Sequence, residues 1–336
     1  MSNPKPLLDT EETNVQNPLP SSYKRYKLEK YAAEYEATLE AYLSFNDPDS
    51  DKKAENLRGC SSHAYFTRHC HTGQVRVIAT SCRLRWCPIC SNRKRAYMSR
   101  AVEAWITSRK HPKFVTFTLS HSDTPLIEQI EKLYGCWRKF KRRSFFKKHF
   151  QGGVWFFQCH KSDTDSLWHP HLHVCTCGPF IQVPRLSNEW RKCTKDSFIV
   201  DVRSISNAQK AGEYVARYAS RPGNLSDHCV SDQQELICAM FNRRICGQWG
   251  AARGLKLTPP KIEDKDLWHR IGYWSTVVGL KNTDRAARQI LKSWFTHEPL
   301  DDGVNMNHID VSSGLDNAFD RLKKRKPDLQ TYLDIY

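Results

Sequence analysis

Trp168-His169-Pro170-His171-Leu172-His173-Val174 reads as one extended strand. Side chains on a strand alternate between faces, so His171 and His173 project side by side while Leu172 points into a core. Two imidazoles aimed at one spot can hold a divalent ion and leave positions open for water, a phosphate oxygen and one more protein ligand. A strand that merely wets its imidazoles would carry a single histidine; His169, His171 and His173 at alternate positions, closed by Val174, favour a ligand set. The neighbouring strand, Gly152 to Cys159, alternates Val154, Phe156, Gln158 and His160 with Trp155, Phe157 and Cys159. Gln158 offers a hard carbonyl oxygen suited to Mg²⁺ or Mn²⁺, with His169 or His160 as substitutes.

Further on stands Gly212-Glu213-Tyr214-Val215-Ala216-Arg217-Tyr218. Residues four apart share one face of a helix, so Tyr214 and Tyr218 stand together. In isolation that pair would be half-buried packing. Beside a metal-binding strand it gains a chemical reading. A phenol with a pKa near ~10 needs a base, a cation or a polarised target to act as a nucleophile, and Arg217 can offset the charge on phenolate or phosphate.

Upstream, Cys82-Arg83-Leu84-Arg85-Trp86-Cys87-Pro88-Ile89-Cys90 contains a CxxC knuckle, whose two thiolates can grip one Zn²⁺ tetrahedrally. With Cys60 and Cys82 they form the expected structural zinc set: Cys60, Cys82, Cys87 and Cys90. His63, His69, Cys70 and His71 compete for the same role. The segment looks loop-rich and too poor in apolar residues to fold without the metal.

The chain has 336 residues, 52 Lys plus Arg and 36 Asp plus Glu, a net charge of +16. Such a chain suits a polyanion, and nucleic acid before membrane. The excess lies downstream of residue 58. Thr67–Lys113 holds eleven basic residues and one Glu, and Arg138–Lys148 holds seven basic residues and no acid. Most charge runs are solvated faces, but here Trp and Phe interleave with the cations, as stacking beside phosphate contacts requires. The expected DNA contacts are Arg83, Arg85, Arg93, Lys94, Arg95, Arg142 and Arg143. Thirteen cysteines without an apolar N-terminal stretch fit a reducing cytoplasm, and no run approaches the ~18 apolar residues of a membrane span.

Residues 1–20 read as disordered and Tyr23–Phe45 as a helix broken at Asn46-Asp47-Pro48. A helix is expected over Arg93–Ser108. Strands are expected at Phe114–Leu119, Gly152–Cys159, Pro170–Thr176, Phe198–Val202 and around Arg244–Trp249, with helices near 124–148 and 207–220. That order suggests an α+β fold, an antiparallel sheet with helices on one face. Asp266–Trp294 reads as helical, followed by a polar stretch and the basic tail Lys323-Lys324-Arg325-Lys326.

FVTFTLS (114–120), WHPHLHV (168–174) and YVARY (214–218) occur in the order of the three motifs of rolling-circle replication initiators, the HUH endonucleases, which the chain resembles over about residues 60–250. CRLRWCPIC (82–90) resembles the cysteine motif of one plasmid group in that family. The resemblance implies a five-stranded antiparallel sheet, a metal on His171 and His173, and nucleophilic attack by Tyr218 on one origin strand. A 5′-phosphotyrosine link and a 3′-hydroxyl primer result. Along the chain four regions are expected: a disordered and helical 1–58, a zinc-binding 59–110, the endonuclease 111–257 and a helical 258–336. Expected partners are single-stranded or supercoiled origin DNA and a host helicase, with no membrane and no small-molecule substrate, in the cytoplasm of a prokaryote carrying the plasmid.

Two positions depart from the pattern. Gln158 stands where the plasmid group often has Glu. Tyr214 stands where single-tyrosine initiators keep a Glu that activates the terminating water, and Glu213 would point roughly 140° from Tyr218 around a helix. The arrangement is similar to the two-tyrosine site of small single-stranded DNA phage initiators, which makes Tyr214 a second nucleophile; the Lys usual between the tyrosines is Arg217. A transposase of the same superfamily shares the chemistry. A non-enzymatic zinc-dependent DNA-binding regulator would explain the charge and the knuckle, but not the paired histidines and tyrosines.

Overall fold

The computed structural model describes residues 19–162, 164–206, 221–258 and 265–309. Most of the segment read as disordered, the helix expected at 207–220 and the basic tail lie outside the described residues. The chain divides into two compact units: Met1–Ala32, Lys52–Ile89 and Pro260–Tyr336 form one, and Ala33–Asp51 with Cys90–Pro259 the other.

The second unit carries the expected sheet. Strands β3 (Lys113–Thr118), β4 (Gly152–Lys161), β5 (Trp168–Cys177), β6 (Val200–Ser204) and β7 (Cys246–Gly250) pair in the order β6-β3-β5-β4-β7. Every pairing is antiparallel. The fold class is therefore α+β with a five-stranded antiparallel sheet. Helices α5 (Leu126–Arg142), α6 (Ser144–His149) and α7 (Val183–Thr194) bring an aromatic core to the face that carries Phe117. Phe117 lies 4.9 Å from Trp190 and 5.2 Å from Phe140, ring centre to ring centre. Phe117 and Phe140 are fully buried, and burying a side chain of this size contributes about 1.5–3 kcal/mol.

Helices on one face only was an expectation the structure corrects. α4 (Pro88–Thr107) covers part of the opposite face, where Met98, Val102, Trp105 and Ile106 pack with Phe114, Val154, Phe156 and Cys175. The residues beyond this patch on the same face, from Gln158 and His173 onward, are the polar ones. Helix α8 (Val230–Ala239) and α7 were not anticipated.

The first unit is built on a second sheet, β2-β1-β8, from β1 (Ala64–His69), β2 (Val75–Ala79) and β8 (Trp268–Tyr273). The cysteine-rich segment is thus not loop-rich, since β1 and β2 form a hairpin. Nor is Asp266–Trp294 one helix. Its first part is strand β8, paired with β1, and only then come α9 (Trp274–Gly279) and α10 (Arg285–Thr296). Gly272 is a poor helix former, and a Cβ there would meet Val277 at 2.8 Å. Phe66 stacks on Trp274 at 5.4 Å within a core that includes Ile271, Val277 and Ile290. The tertiary partner, β1, decides against the helical periodicity.

The N-terminal helix is two, α1 (Tyr23–Leu28) and α2 (Ala32–Ser44), and a further helix, α3 (Pro48–Gly59), begins inside the predicted break. Asp47 accepts hydrogen bonds from the amides of Asp49 and Ser50 at 3.0 Å, and Pro48 takes the first helical position. The residues that stop one helix therefore cap the next. Of residues 1–20, Leu19 and Pro20 are described, and the Trp274 indole donates to the Pro20 carbonyl at 3.0 Å.

Candidate active site and cysteine cluster

Antiparallel register sets Gln158 opposite His171 on β4 and β5, and Thr118 and Thr116 on β3 opposite His171 and His173. Directly opposed residues share a face, so Thr116, Gln158, His171 and His173 converge. The Gln158 Oε1 lies 3.0 Å from His171 Nε2 and 2.8 Å from His173 Nε2. His171 Nδ1 donates to the His169 carbonyl at 2.9 Å, and His173 Nδ1 meets the Thr116 hydroxyl at 3.2 Å. Both rings are buried, whereas Gln158 is half-exposed and His160, one pleat further along β4, is exposed.

Burial, the largest cause in each case, holds His171 at a pKa of about 4 and His173 at about 2. Both imidazoles are therefore neutral at pH 7, each with one N–H. For His171 that proton is committed to the His169 carbonyl, which leaves a bare lone pair on Nε2 facing the Oε1 of Gln158. Two acceptors 3 Å apart repel. A cation between them removes the conflict, as would an amide turned to present its NH2. Adjacent ligands of an octahedral ion with bonds of ~2.1 Å lie roughly 3.0 Å apart, which the Gln158 contacts match. The three donors fit a small divalent ion such as Mg²⁺ or Mn²⁺.

His169 does not join this set. Its ring lies edge-on to His121 at 3.6 Å between centres, and His121 is hydrogen-bonded to Asp165. Donor atoms of His121, Asp165 and His169 all lie within 4.8 Å of one another. The His121 bond, then the Leu167 amide, hold the Asp165 carboxyl at a pKa of about 2. Among the described residues the Nε2 of His169 is buried without a hydrogen-bond partner. This group could also take a divalent metal.

Several supporting residues escaped the sequence reading. Thr116 sits inside the quoted FVTFTLS stretch at the parity that faces the histidines, and that alternation was the available signal. Glu235 on α8 accepts from the Trp168 indole at 2.7 Å and from the Leu126 amide at 2.8 Å, tying the start of the histidine strand to the start of α5. No local pattern announces so distant a pair.

Tyr214, Arg217 and Tyr218 lie outside the described residues. Four residues after Tyr218, the Pro222 carbonyl accepts from the Cys159 amide at 2.6 Å, beside Gln158 on β4. Arg221 pairs with the buried carboxylate of Glu34 at 2.5 Å, and Glu34 also accepts from the Leu225 and Ser226 amides. The chain that leaves YVARY is thereby anchored at the edge of the histidine site.

The structure brings Cys60, Cys82, Cys87 and Cys90 together, with all four sulfurs within 4.8 Å of one another. The Sγ atoms of Cys60 and Cys87 are 3.6 Å apart. Tetrahedral thiolates at ~2.3 Å from a zinc ion lie roughly 3.8 Å from each other, so the cluster could hold zinc. Among the competitors, His69 is engaged elsewhere. His69 Nδ1 accepts from the His71 and Thr72 amides in the β1–β2 turn, and its ring packs on Trp268.

Of the expected DNA contacts, Arg83, Lys94 and Arg142 are exposed and Arg85, Arg93 and Arg95 half-buried. Arg95 bonds to Asn92 at 2.5 Å, and Arg143 is bound to Glu189 at 2.6 Å, so its charge is already matched.

An antiparallel five-stranded sheet that aims a His-Leu-His strand and an amide oxygen at one point defines a protein of the HUH type. Residues 74–272, more than half of the chain, match the family model described as replication protein (Rep_1), and the chain belongs to that family of rolling-circle replication initiators. No curated protein and no solved structure matches it.

Proposed function

We propose that this initiator nicks one strand at the origin of a rolling-circle plasmid or phage replicon and rejoins it, with Tyr218 as nucleophile. The observation that carries the reading is the convergence of Gln158, His171 and His173, with Pro222 bonded next to it four residues after Tyr218. The phenolate oxygen of Tyr218 attacks the scissile phosphorus. The bond from phosphorus to the 3′ oxygen breaks, and that oxygen takes a proton to become the primer hydroxyl. The 5′ phosphate stays on Tyr218. A divalent cation on His171, His173 and Gln158, when bound, draws charge from a non-bridging phosphate oxygen. Thr116 and the His169 carbonyl hold the two imidazoles in place. Arg217 offsets negative charge, and Tyr214 attacks the linkage at the next turn, so that the two phenols alternate. Cys60, Cys82, Cys87 and Cys90 hold a structural zinc, and Arg83, Arg85, Arg93, Lys94, Arg95 and Arg142 contact DNA in the cytoplasm of a prokaryotic host. Among the described residues no helix is long and apolar enough to cross a membrane.

The test mixes the protein with labelled single-stranded origin DNA and Mn²⁺ and resolves the products on a denaturing gel. A covalent adduct is expected that disappears with EDTA and in the Tyr214→Phe, Tyr218→Phe double variant. No adduct on any origin segment with metal present sinks the nuclease. Loss of both cleavage and joining in Tyr218→Phe alone removes only the second nucleophile.

A further inference from the structure

His121 follows β3, Asp165 sits in the turn between β4 and β5, and His169 is the second residue of β5. Separate segments of one unit thus bring two imidazoles and a carboxylate together, with one donor atom of each within 4.8 Å of the others. His121 Nδ1 is hydrogen-bonded to Asp165 Oδ2, and the His121 and His169 rings meet edge to face at 3.6 Å between centres. The other carboxylate oxygen, Oδ1, accepts from the Leu167 amide at 3.0 Å, which holds the group in this orientation.

An exposed ion pair is the plain reading of His121 and Asp165, and such pairs contribute little. It does not account for His169. The buried Nε2 of that ring has no hydrogen-bond partner among the described residues, whereas buried polar atoms ordinarily have one. His160, directly opposite on β4, stacks on the ring at 5.6 Å rather than bonding to that nitrogen.

Two imidazoles and a carboxylate are a donor set for a divalent transition ion, because imidazole suits Zn²⁺ and Fe²⁺ and carboxylate suits Mn²⁺. Charge separates this set from the histidine site. There the ligands are two neutral imidazoles and an amide, whereas here one ligand is an anion. Affinity rises with the number of charged ligands, so this set should hold a cation without help from a nucleic-acid phosphate. The two sets share no donor, and His160 packs against a ring of each, 5.6 Å from His169 and 5.2 Å from His171. They are nonetheless joined through the backbone. The His169 carbonyl accepts from His171 Nδ1 at 2.9 Å, so an ion that fixes the His169 side chain also steadies the acceptor that orients His171.

We propose that His121, Asp165 and His169 form a second divalent transition-metal site, which braces the histidine site from its flank. It depends neither on the cleavage chemistry nor on Tyr218.

The experiment counts Mn²⁺ bound to the full, zinc-loaded chain without DNA, from the loss of the free-ion electron paramagnetic resonance signal during a titration. Mn²⁺ favours oxygen ligands and leaves thiolates to zinc. The proteins are the wild type, Asp165→Asn, His121→Gln and the Gln158→Ala, His173→Ala double variant, with zinc content and circular dichroism as checks on folding. The tightest Mn²⁺ of the wild type should persist in the double variant. In both Asp165→Asn and His121→Gln it should weaken by more than the ~10–100-fold that losing an outer partner costs. Asp165→Glu, which restores the carboxylate, should recover part of the affinity. Equal Mn²⁺ binding by the wild type, Asp165→Asn and His121→Gln overturns the proposal and leaves an ion pair. Loss of all Mn²⁺ in the double variant also overturns it, because the histidine site alone would then account for every ion. Absence of a covalent adduct in the nicking assay bears on Tyr218 and leaves the count of ions unaffected.

Discussion

The cysteine cluster and the histidine site are both sets of metal donors, yet they are built in opposite ways. Four thiols meet in one, two of them fully buried, enough to supply all four ligands of a tetrahedral ion. Three donors meet in the other, two buried imidazoles and a half-exposed amide. Closed thiolate sets store folding energy, whereas sets with an open position do chemistry. Their supports differ accordingly. The cysteines come from a helix end, a loop and a helix start, segments that a metal could organise. Gln158, His171 and His173 stand on two central strands with fixed register, which hold geometry before any ion arrives.

Breaking each set in turn should give opposite phenotypes. Cys87→Ser should lose the zinc and a large part of the folding energy of its unit, on the order of several kcal/mol given the ~10–16 kcal/mol of structural zinc sites. Metal analysis and thermal unfolding check this; unchanged zinc and an unchanged melting temperature would remove the knuckle from the site. His173→Ala should keep its zinc and slow strand cleavage by about 10²–10³-fold or more, the scale set by losing one charge-stabilising element of an active site. Cleavage at the wild-type rate would exclude the histidine pair from catalysis.

The same contrast explains what was legible in the sequence. His171, His173 and Gln158 could be placed together because a strand's period of two is rigid and their two strands are neighbours in sequence. The four cysteines were legible through chemistry, since few residue types bind zinc, even though the hairpin around them was missed. Strand β8 was misread because Trp268–Tyr273 gains its strand character from pairing with β1, two hundred residues away. His169 was assigned by alternation to the His171 set, but strand parity fixes a face and not a distance. His121 and Asp165, on loops, claim its ring instead. Glu235, which ties down the start of the histidine strand, and Glu34, which holds the chain after Pro222, also act on residues distant in sequence and leave no local trace.

A smaller change sharpens the comparison by testing support rather than ligands. Thr116 touches no substrate; its hydroxyl meets His173 Nδ1 and fixes which nitrogen faces the centre. Thr116→Val keeps the branched shape and deletes that contact. Removing an outer hydrogen bond of this kind costs about 10–100-fold in metal affinity, so a Mn²⁺ titration should shift by that factor while zinc content stays constant. Thr116→Ser should restore the affinity, which a purely packing role would not predict. An unshifted titration for the valine variant would show that strand geometry alone orients the imidazole.

A last test separates the two sites by pH in the metal-free protein. Burial holds His171 at about 4 and His173 at about 2, while an unfolded histidine titrates near ~6.5. As the pH falls below ~6.5 the unfolded chain takes up protons that the folded one refuses, so stability declines with acidification. The His171 share of that decline stops near pH 4, where the folded ring itself protonates, and the His173 share continues to lower pH. Above ~6.5 both states are neutral and neither ring contributes. Urea midpoints should therefore be flat in this respect from pH 8 to 7 and fall between 6.5 and 4. The fall should be shallower in the His171→Gln, His173→Gln variant, which has no proton to take up at those positions. Identical profiles for the two proteins would mean that the rings are hydrated and charge freely. The pair could then not be the dry, pre-neutral ligands that distinguish it from the cysteine cluster, whose thiols must lose protons to bind metal at all.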